Sequence, residues 1–351
     1  MDLSFLIGKL LLFCPFLFFI IISLKRNEDY IIQPVSVSTS IILLLLMSIL
    51  MVLTPIEMGN DKYYYMLEFL GDTQERDNEM GWVLYNSILR LVFGGNFILF
   101  FLFSSLLYSY SYFFLARKLF PKETMGYFIL MTVGMMGFVS YGSNTIRAGI
   151  SIAFLFFSIS LPLKLKYRVF LFVLAVITHK AMIIPVVAFL SSYFIKNKRL
   201  VECFWIFCLL FSLIDIDLAT LFEKVGFFDQ RVEEYTSSIG GDNDYGSRFR
   251  YDFLLYSIVP IYIANIWMNR YQYYNSMYEL VYRSYILSNA IWVLVIRVAF
   301  SDRIAYLSWF LIPFLVLYPL LNGELMMKNV QKILVVVIGM FVCLNLALGL
   351  R

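Results

Sequence analysis

Long apolar runs, separated by short polar stretches, follow one another along most of the chain. A helix needs about 20 apolar residues to cross the hydrocarbon core of a bilayer. Backbone polar groups in that core must be paired within the protein, and long continuous runs satisfy this requirement as helices. The pattern predicts about twelve membrane-spanning helices, at 3–24, 36–54, 95–116, 125–141, 148–162, 168–179, 181–195, 200–217, 251–268, 281–299, 304–321 and 332–350.

Composition supports this interpretation. The 351 residues are 61% hydrophobic and 15% charged, which a soluble domain of this length could not cover with polar surface. We therefore predict an all-α polytopic membrane protein that forms a single integral membrane domain over residues 1–351. The net charge of +4 is too small to indicate a nucleic-acid partner. The four cysteines lie inside apolar runs, so neither a disulfide framework nor a cysteine-rich metal site is indicated.

The distribution of charge predicts the orientation. Basic residues fall on alternate short connections, and acidic residues dominate the connections between them. Short loops rich in Lys and Arg remain in the cytoplasm, so the acidic connections are predicted to lie outside. Two of these are long periplasmic loops, at about 55–94 and 218–250. Apolar residues recur at helical spacing within each, at 82–93 and 218–225, which predicts amphipathic helices along the outer interface.

A pair of polar clusters stands at the two ends of one predicted helical hairpin. The first cluster is 142–149, which contains Arg147, and the second is 178–180, which contains His179, the only histidine in the chain. Two consecutive spans return the chain to the same membrane face, so Arg147 and His179 are predicted to share that face. Polar groups at membrane depth are costly and often functional. The structural alternatives are a snorkelling arginine anchor and a buried polar histidine cap.

The predicted outer face gathers further candidate residues. Arginine donors suit phosphate oxygens, and aromatic rings beside acids and amides can hold sugar rings. Together they suggest a lipid-linked phosphosugar as the substrate. A transition-metal site is not indicated, because the chain has a single histidine and no cysteine cluster. The candidates are the cations Arg147, His179, Lys180, Arg248, Arg250 and Arg303, the acids Asp61, Glu79, Asp252 and Asp302, and the aromatics Tyr63, Tyr64, Trp82, Tyr141 and Tyr251.

Several of these residues occur in short motifs whose order is familiar. The motifs are Asp61-x-Tyr63-Tyr64, Glu79-x-Gly81-Trp82, Asn144-x-x-Arg147-Ala148-Gly149, His179-Lys180-Ala181, Arg248-x-x-Tyr251-Asp252-Phe253 and Asp302-Arg303-Ile304-Ala305-Tyr306. In this order and on one predicted face, they resemble the EpsG family of exopolysaccharide polymerases, relatives of the Wzy O-antigen polymerases. The resemblance extends over nearly the whole chain.

The resemblance implies a glycosyltransferase of the polytopic C-type fold in the bacterial cytoplasmic (inner) membrane, with its active site facing the periplasm. Such an enzyme would transfer an undecaprenyl diphosphate-linked glycan onto a sugar hydroxyl of the next lipid-linked repeat unit. The product would be an O-antigen, exopolysaccharide or capsule. No cofactor or metal is expected. Membrane lipids surround the protein, and a chain-length regulator and a flippase of the same pathway are candidate partners.

The resemblance also suggests roles for individual residues. Cations near the diphosphate would stabilise the charge that develops on the leaving group, and the acceptor hydroxyl needs a general base. His179 is the first candidate for the base, with Asp61, Glu79 and Asp302 as rivals. The candidates for diphosphate binding are Arg147, Arg248, Arg250 and Arg303, and those for sugar binding are Tyr63, Tyr64, Trp82, Asn144 and Tyr251.

Other functions remain open at this point. An O-antigen ligase would use the same chemistry with a lipid-core acceptor, and an outer-face acyltransferase is a further possibility. A flippase or transporter of lipid-linked oligosaccharide would need charges along a path through the bilayer. The charged residues inside the predicted spans are few. We therefore favour the polymerase.

Overall fold

The computed structural model describes residues 3–24, 31–58, 61–71, 79–135, 137–214, 249–297, 301–323, 325 and 327–349. Helices account for most of these residues, which confirms the predicted all-α class. The predicted amphipathic segment 218–225 and the motif residue Arg248 lie outside the described residues.

The helices alternate with short turns along the described chain. A 3-10 turn, Lys180–Met182, follows α9, and a π-helical turn, Ile266–Arg270, follows α12. The α-helices are α1 (Leu3–Ser23), α2 (Val37–Leu53), α3 (Asp61–Leu70), α4 (Met80–Phe93), α5 (Phe97–Leu119), α6 (Met125–Val133), α7 (Phe138–Ser143), α8 (Ile146–Ser160), α9 (Leu165–Thr178), α10 (Ile183–Phe194), α11 (Lys198–Ser212), α12 (Tyr251–Asn265), α13 (Ser276–Leu294), α14 (Asp302–Trp309), α15 (Ile312–Leu321) and α16 (Val330–Gly349).

Three described segments are long and apolar enough to cross a membrane, and they run Phe97–Leu119, Tyr251–Arg270 and Arg303–Leu321. Other apolar helices have 10–17 residues. These features fit a membrane protein, and the count of twelve spans stays a prediction. The predicted span 125–141 is divided into α6 and α7, because the chain turns at Gly137, whose φ of 88° suits glycine.

The chain forms two compact units, Met1–Met182 with Leu317–Arg351, and Ile183–Val316. In the first unit, α8 packs against both α5 and α9, and α4 packs against α9. The α8–α9 connection is short, so the two helices form an antiparallel hairpin. Its ends are Arg147 in the first turn of α8 and His179 just after α9. The hairpin therefore places both polar clusters at the same end.

In the second unit, α13 packs against α10, α11 and α14. A buried polar network joins α11, α12 and α14 to Asn289 on α13. Trp205 Nε1 donates to Asn289 Oδ1 over 2.8 Å, and Asn289 Nδ2 donates to Ser257 Oγ and Ser308 Oγ over 3.2 and 3.0 Å. Each polar atom of the Asn289 amide is paired, so the network stabilises one arrangement of the helices.

Candidate active site

Glu79 is a buried carboxylate that joins the two residues at the ends of the α8–α9 hairpin. Arg147 Nη1 donates to Glu79 Oε2. The other oxygen, Oε1, lies 3.2 Å from His179 Nδ1 and accepts the Lys180 backbone N–H over 3.1 Å. Arg147 is 6% exposed, so this ion pair is shielded from water. The structure therefore brings Arg147 and His179 together through a third motif residue.

The start of α4 brings Glu79 to the hairpin. Glu79 is the residue before α4, and Gly81 lies in the first turn of that helix. A Cβ atom at Gly81 would lie 2.7 Å from the backbone nitrogen and from Oγ1 of Thr178, at the end of α9. Only a residue without a side chain allows this approach. The glycine of the Glu79-x-Gly81-Trp82 motif therefore permits the Glu79–His179 contact.

Aromatic side chains pack against Arg147 at this site. Arg147 Nε donates to the Tyr65 hydroxyl over 3.1 Å, and the Tyr65 ring meets the edge of Trp82 at a centroid distance of 5.1 Å. Trp82 Nε1 in turn donates to Glu68 Oε2 over 2.8 Å. Both rings belong to a buried cluster with Phe69 and residues of α4, α5 and α8. Through Tyr65, this cluster holds the guanidinium of Arg147 in place.

Lys62 fixes the start of α3. It is 2% exposed, and its Nζ donates to the backbone oxygens of Met51, Val52 and Thr54 and to Thr54 Oγ1, over 2.7 to 3.2 Å. These oxygens lie at the C-terminal end of α2, where a positive charge is favoured. Burial lowers the pKa of Lys62 to about 8. Lys62 therefore carries its charge at neutral pH, where the charge benefits from these acceptors.

Side chains from elsewhere hold both ends of α3. At its start, the Lys62 N–H points to Asn144 Oδ1 at 3.4 Å, so Asn144 caps the helix. At its end, Arg90 donates to the backbone oxygens of Phe69 and Glu68 over 2.7 and 2.5 Å. The helix that carries Asp61, Tyr63 and Tyr64 is therefore positioned by polar contacts at both ends.

The Glu79–His179 contact orients the imidazole ring. An ionised Glu79 favours the tautomer in which His179 Nδ1 carries the proton, which leaves a lone pair on Nε2. Within the described chain, His179 makes no hydrogen bond through Nε2, and its side chain is 25% exposed. A carboxylate that orients a partly exposed imidazole is compatible with a general base, and this role of His179 stays a prediction.

A family model matches residues 38–350, nearly the whole chain. The chain belongs to the EpsG family. EpsG proteins are a Wzy-like polymerase family, so the resemblance derived from the motifs is confirmed. A comparison with curated proteins and a comparison with solved structures found no match.

The other predicted residues of this EpsG protein's first unit lie on α3, on α4 and beside α8. Asp61 is buried in the first turn of α3, whereas Tyr63 and Tyr64 are half-buried on the same helix. Trp82 is fully buried in the aromatic cluster. Asn144 is half-buried and caps α3. Their roles in base catalysis and sugar binding stay predictions.

The remaining predicted residues of the EpsG protein belong to the second unit. Arg250 donates to both carboxylate oxygens of Asp252 over 3.0 and 2.9 Å, and its guanidinium lies 3.6 Å from the centroid of the Phe253 ring. Tyr251 and Arg303 are exposed. The roles of Arg250, Tyr251 and Arg303 in binding sugar and diphosphate therefore stay predictions.

Sequence reasoning missed four residues that organise the first unit: Lys62, Tyr65, Glu68 and Arg90. Lys62 and Tyr65 flank the Tyr63-Tyr64 pair of a motif that sequence reasoning did use. Their separation of three residues places them on neighbouring positions of one helical face. That spacing was the available signal. Glu68 and Arg90 gave no comparable signal, because their contacts depend on how α3 and α4 meet.

Proposed function

We propose that this EpsG protein is a polysaccharide polymerase that acts at the periplasmic face of the cytoplasmic membrane. It transfers a growing glycan from undecaprenyl diphosphate to a sugar hydroxyl of the next lipid-linked repeat unit. The observation that carries the proposal is the buried Glu79 carboxylate, which joins Arg147 through one oxygen and His179 through the other. Family membership supports the reaction class.

In the proposed reaction, His179 Nε2 accepts the proton of the acceptor hydroxyl. The hydroxyl oxygen forms a bond to the anomeric carbon of the glycan, and the bond from that carbon to the diphosphate oxygen breaks. The lipid diphosphate leaves with the bonding electron pair. Glu79 Oε1, at 3.2 Å from Nδ1, stabilises the imidazolium that forms. The acceptor becomes a stronger nucleophile without a free hydroxide.

Arg147 has two parts in this proposal. It holds Glu79 in place, and it contributes positive charge to a site where the leaving diphosphate gains negative charge. Its contacts with Glu79 and Tyr65 hold the guanidinium in one position. Diphosphate binding by Arg248, Arg250 and Arg303 stays a prediction, and Asp61, Glu79 and Asp302 stay the rival bases.

Reconstitution tests the proposal. Lipid-linked repeat units are extracted from cells that make the glycan but lack this protein, and purified protein is added without nucleotide sugar. A ladder of longer lipid-linked glycans supports the polymerase. Transfer only to a lipid-core acceptor would replace it with a ligase. Movement of the lipid across liposomes without any transfer would replace it with a flippase, and no activity on any of these substrates would overturn the proposed reaction.

A further inference from the structure

A polar cavity lies in the second unit and is lined by residues near the ends of three helices. These are the start of α11, the end of α12 with its π-helical turn, and the start of α13. The cavity has a volume of about 520 Å³. Its lining consists of Lys198, Arg199, Glu202, Asn265, Met268, Asn269, Tyr274 and Glu279.

The local backbone explains why polar side chains meet here. Asn197 and Asn275 cap the starts of α11 and α13, and each side-chain oxygen accepts two backbone N–H groups. The π-helical turn after α12 widens the helix. Asn265 and Asn269 on this segment both accept from Lys198 Nζ, over 2.9 and 3.0 Å. The cavity wall is therefore built by specific hydrogen bonds.

The charged residues of the cavity lie on two helices, with Lys198, Arg199 and Glu202 on α11 and Glu279 on α13. Lys198 and Arg199 are neighbours on α11, and Arg199 is exposed, with no hydrogen bond from its guanidinium to any residue the structure describes. Glu279 on α13 accepts from Arg283 through Oε2 over 3.2 Å, which leaves its other oxygen for a ligand. Glu202 Oε1 accepts from Tyr282 and Asn265 and lies 3.9 Å from Lys198 Nζ, so this carboxylate is part of the cavity wall. The cavity thus offers the Arg199 guanidinium on α11 and a carboxylate oxygen of Glu279 on α13.

The surroundings of the cavity indicate a membrane interface. Leu200, which follows Arg199 on α11, and Tyr262, three residues before Asn265 on α12, are exposed, and Tyr274 of the lining is 66% exposed. Exposed tyrosines and basic residues are typical of the headgroup level of a bilayer. The connection 195–199 is also one of the basic loops that the charge pattern predicts to be cytoplasmic. A lipid headgroup at this interface is therefore a candidate ligand of the cavity.

We propose that this cavity binds a phosphoethanolamine group, as carried by a zwitterionic membrane phospholipid. Lys198 and Arg199 would bind the phosphate oxygens, and Glu279 would accept hydrogen bonds from the primary ammonium. The formal charges of Lys198, Arg199, Glu202 and Glu279 sum to zero, which suits a zwitterion better than an anion. This site is independent of the glycan transfer proposed for the first unit.

Binding to the delipidated full-length protein tests the proposal, with native mass spectrometry as the readout. The probes are phosphatidylethanolamine, phosphatidylcholine and phosphatidylglycerol with identical acyl chains, and soluble glycerophosphoethanolamine. We expect phosphatidylethanolamine to bind most tightly, because the choline headgroup has no N–H donor and the glycerol headgroup has no cation. Equal affinity for the three lipids would overturn the proposal, as would binding of none of the probes.

Variants assign the binding to the cavity. Arg199→Gln is expected to weaken phosphatidylethanolamine binding roughly fivefold, the effect of one interfacial cation. Glu279→Gln is expected to weaken phosphatidylethanolamine binding and to leave phosphatidylglycerol binding unchanged. The matched control is Lys164→Gln, an exposed basic residue of another basic turn. Unchanged lipid preference in both cavity variants would overturn the site.

The soluble probe distinguishes the two sources of the group. If glycerophosphoethanolamine binds as tightly as the lipid and competes with it, the chemistry is supported and the ligand comes from solution. If only the lipid binds, the site takes a membrane phospholipid. The comparison of headgroups on the unchanged protein keeps the test valid if Glu279→Gln disturbs Arg283 and lowers stability.

Discussion

Replacing Glu79 by glutamine removes the negative charge that lies between Arg147 and His179. The side chain keeps its shape, but the carboxylate that neutralises Arg147 is lost. Arg147 then remains as a buried cation, with 6% of its surface exposed. Removing one partner of a buried ion pair typically costs about 3–5 kcal/mol. We therefore expect the free energy of unfolding to fall by about 3 kcal/mol in Glu79→Gln.

The same change affects the histidine. A glutamine amide can present its oxygen or its nitrogen to His179 Nδ1, so it no longer selects one tautomer. We expect the rate of glycan transfer to fall about a hundredfold or more, since an oriented base contributes at least this factor. The assay is the single-turnover rate of transfer between lipid-linked units, measured well below the unfolding temperature of the variant.

Two further proteins make this prediction specific. Glu57→Gln removes an exposed carboxylate of the same predicted outer loop and should leave stability and rate unchanged. The double variant Glu79→Gln/Arg147→Gln removes both charges and should recover part of the lost stability but not the rate. If Glu79→Gln unfolds at the wild-type temperature, or if its rate equals that of Glu57→Gln, the reasoning about this pair is wrong.

Three other predictions concern the supports of the fold. Gly81→Ala should destabilise the protein by about 1–3 kcal/mol and slow glycan transfer, because the new Cβ would lie 2.7 Å from Thr178 N. A Gly81→Ala variant that unfolds at the wild-type temperature and transfers glycan at the wild-type rate would contradict this. Burial lowers the pKa of Lys62 from 10.5 to about 8, so the unfolded chain binds more protons between these pH values and stability should rise with pH there. Between pH 8 and 10.5, the free energy of unfolding of the wild type should rise by roughly 3 kcal/mol relative to that of Lys62→Met. If the free energies of unfolding of the two proteins change with pH in the same way, this prediction is wrong. Asn289→Leu should cost about 1–3 kcal/mol, because Trp205 Nε1 loses its acceptor; unchanged denaturation would show that the network is dispensable.

The sequence was informative wherever local pattern decides structure. The two apolar runs after Arg147 and the basic turn between them predicted the hairpin that brings Arg147 and His179 to one end. A helix within 82–93 was also expected, and α4 spans Met80–Phe93. Such features follow from hydrophobic periodicity and capping, which act over a few residues.

Features that depend on distant contacts were not predictable in the same way. Glu79 was one of several carboxylates in the outer loop, and only the approach of α4 to α9 places it between Arg147 and His179. Glu68 resembled a surface acid until its contact with Trp82 was known. The division of the predicted span 125–141 depends on the positive φ of Gly137. Hydropathy measures the apolar character of a segment and is insensitive to a single backbone angle.

The central claim is that His179, oriented by Glu79, is the base in glycan transfer. The most direct test is the single-turnover transfer rate of His179→Gln in purified protein whose unfolding temperature matches that of the wild type. We expect that substrate still binds and that the rate falls about 10² to 10⁴-fold. A rate within about threefold of the wild-type rate is a much smaller loss than removal of a general base causes; it would show that His179 is not the base and favour Asp61, Glu79 or Asp302.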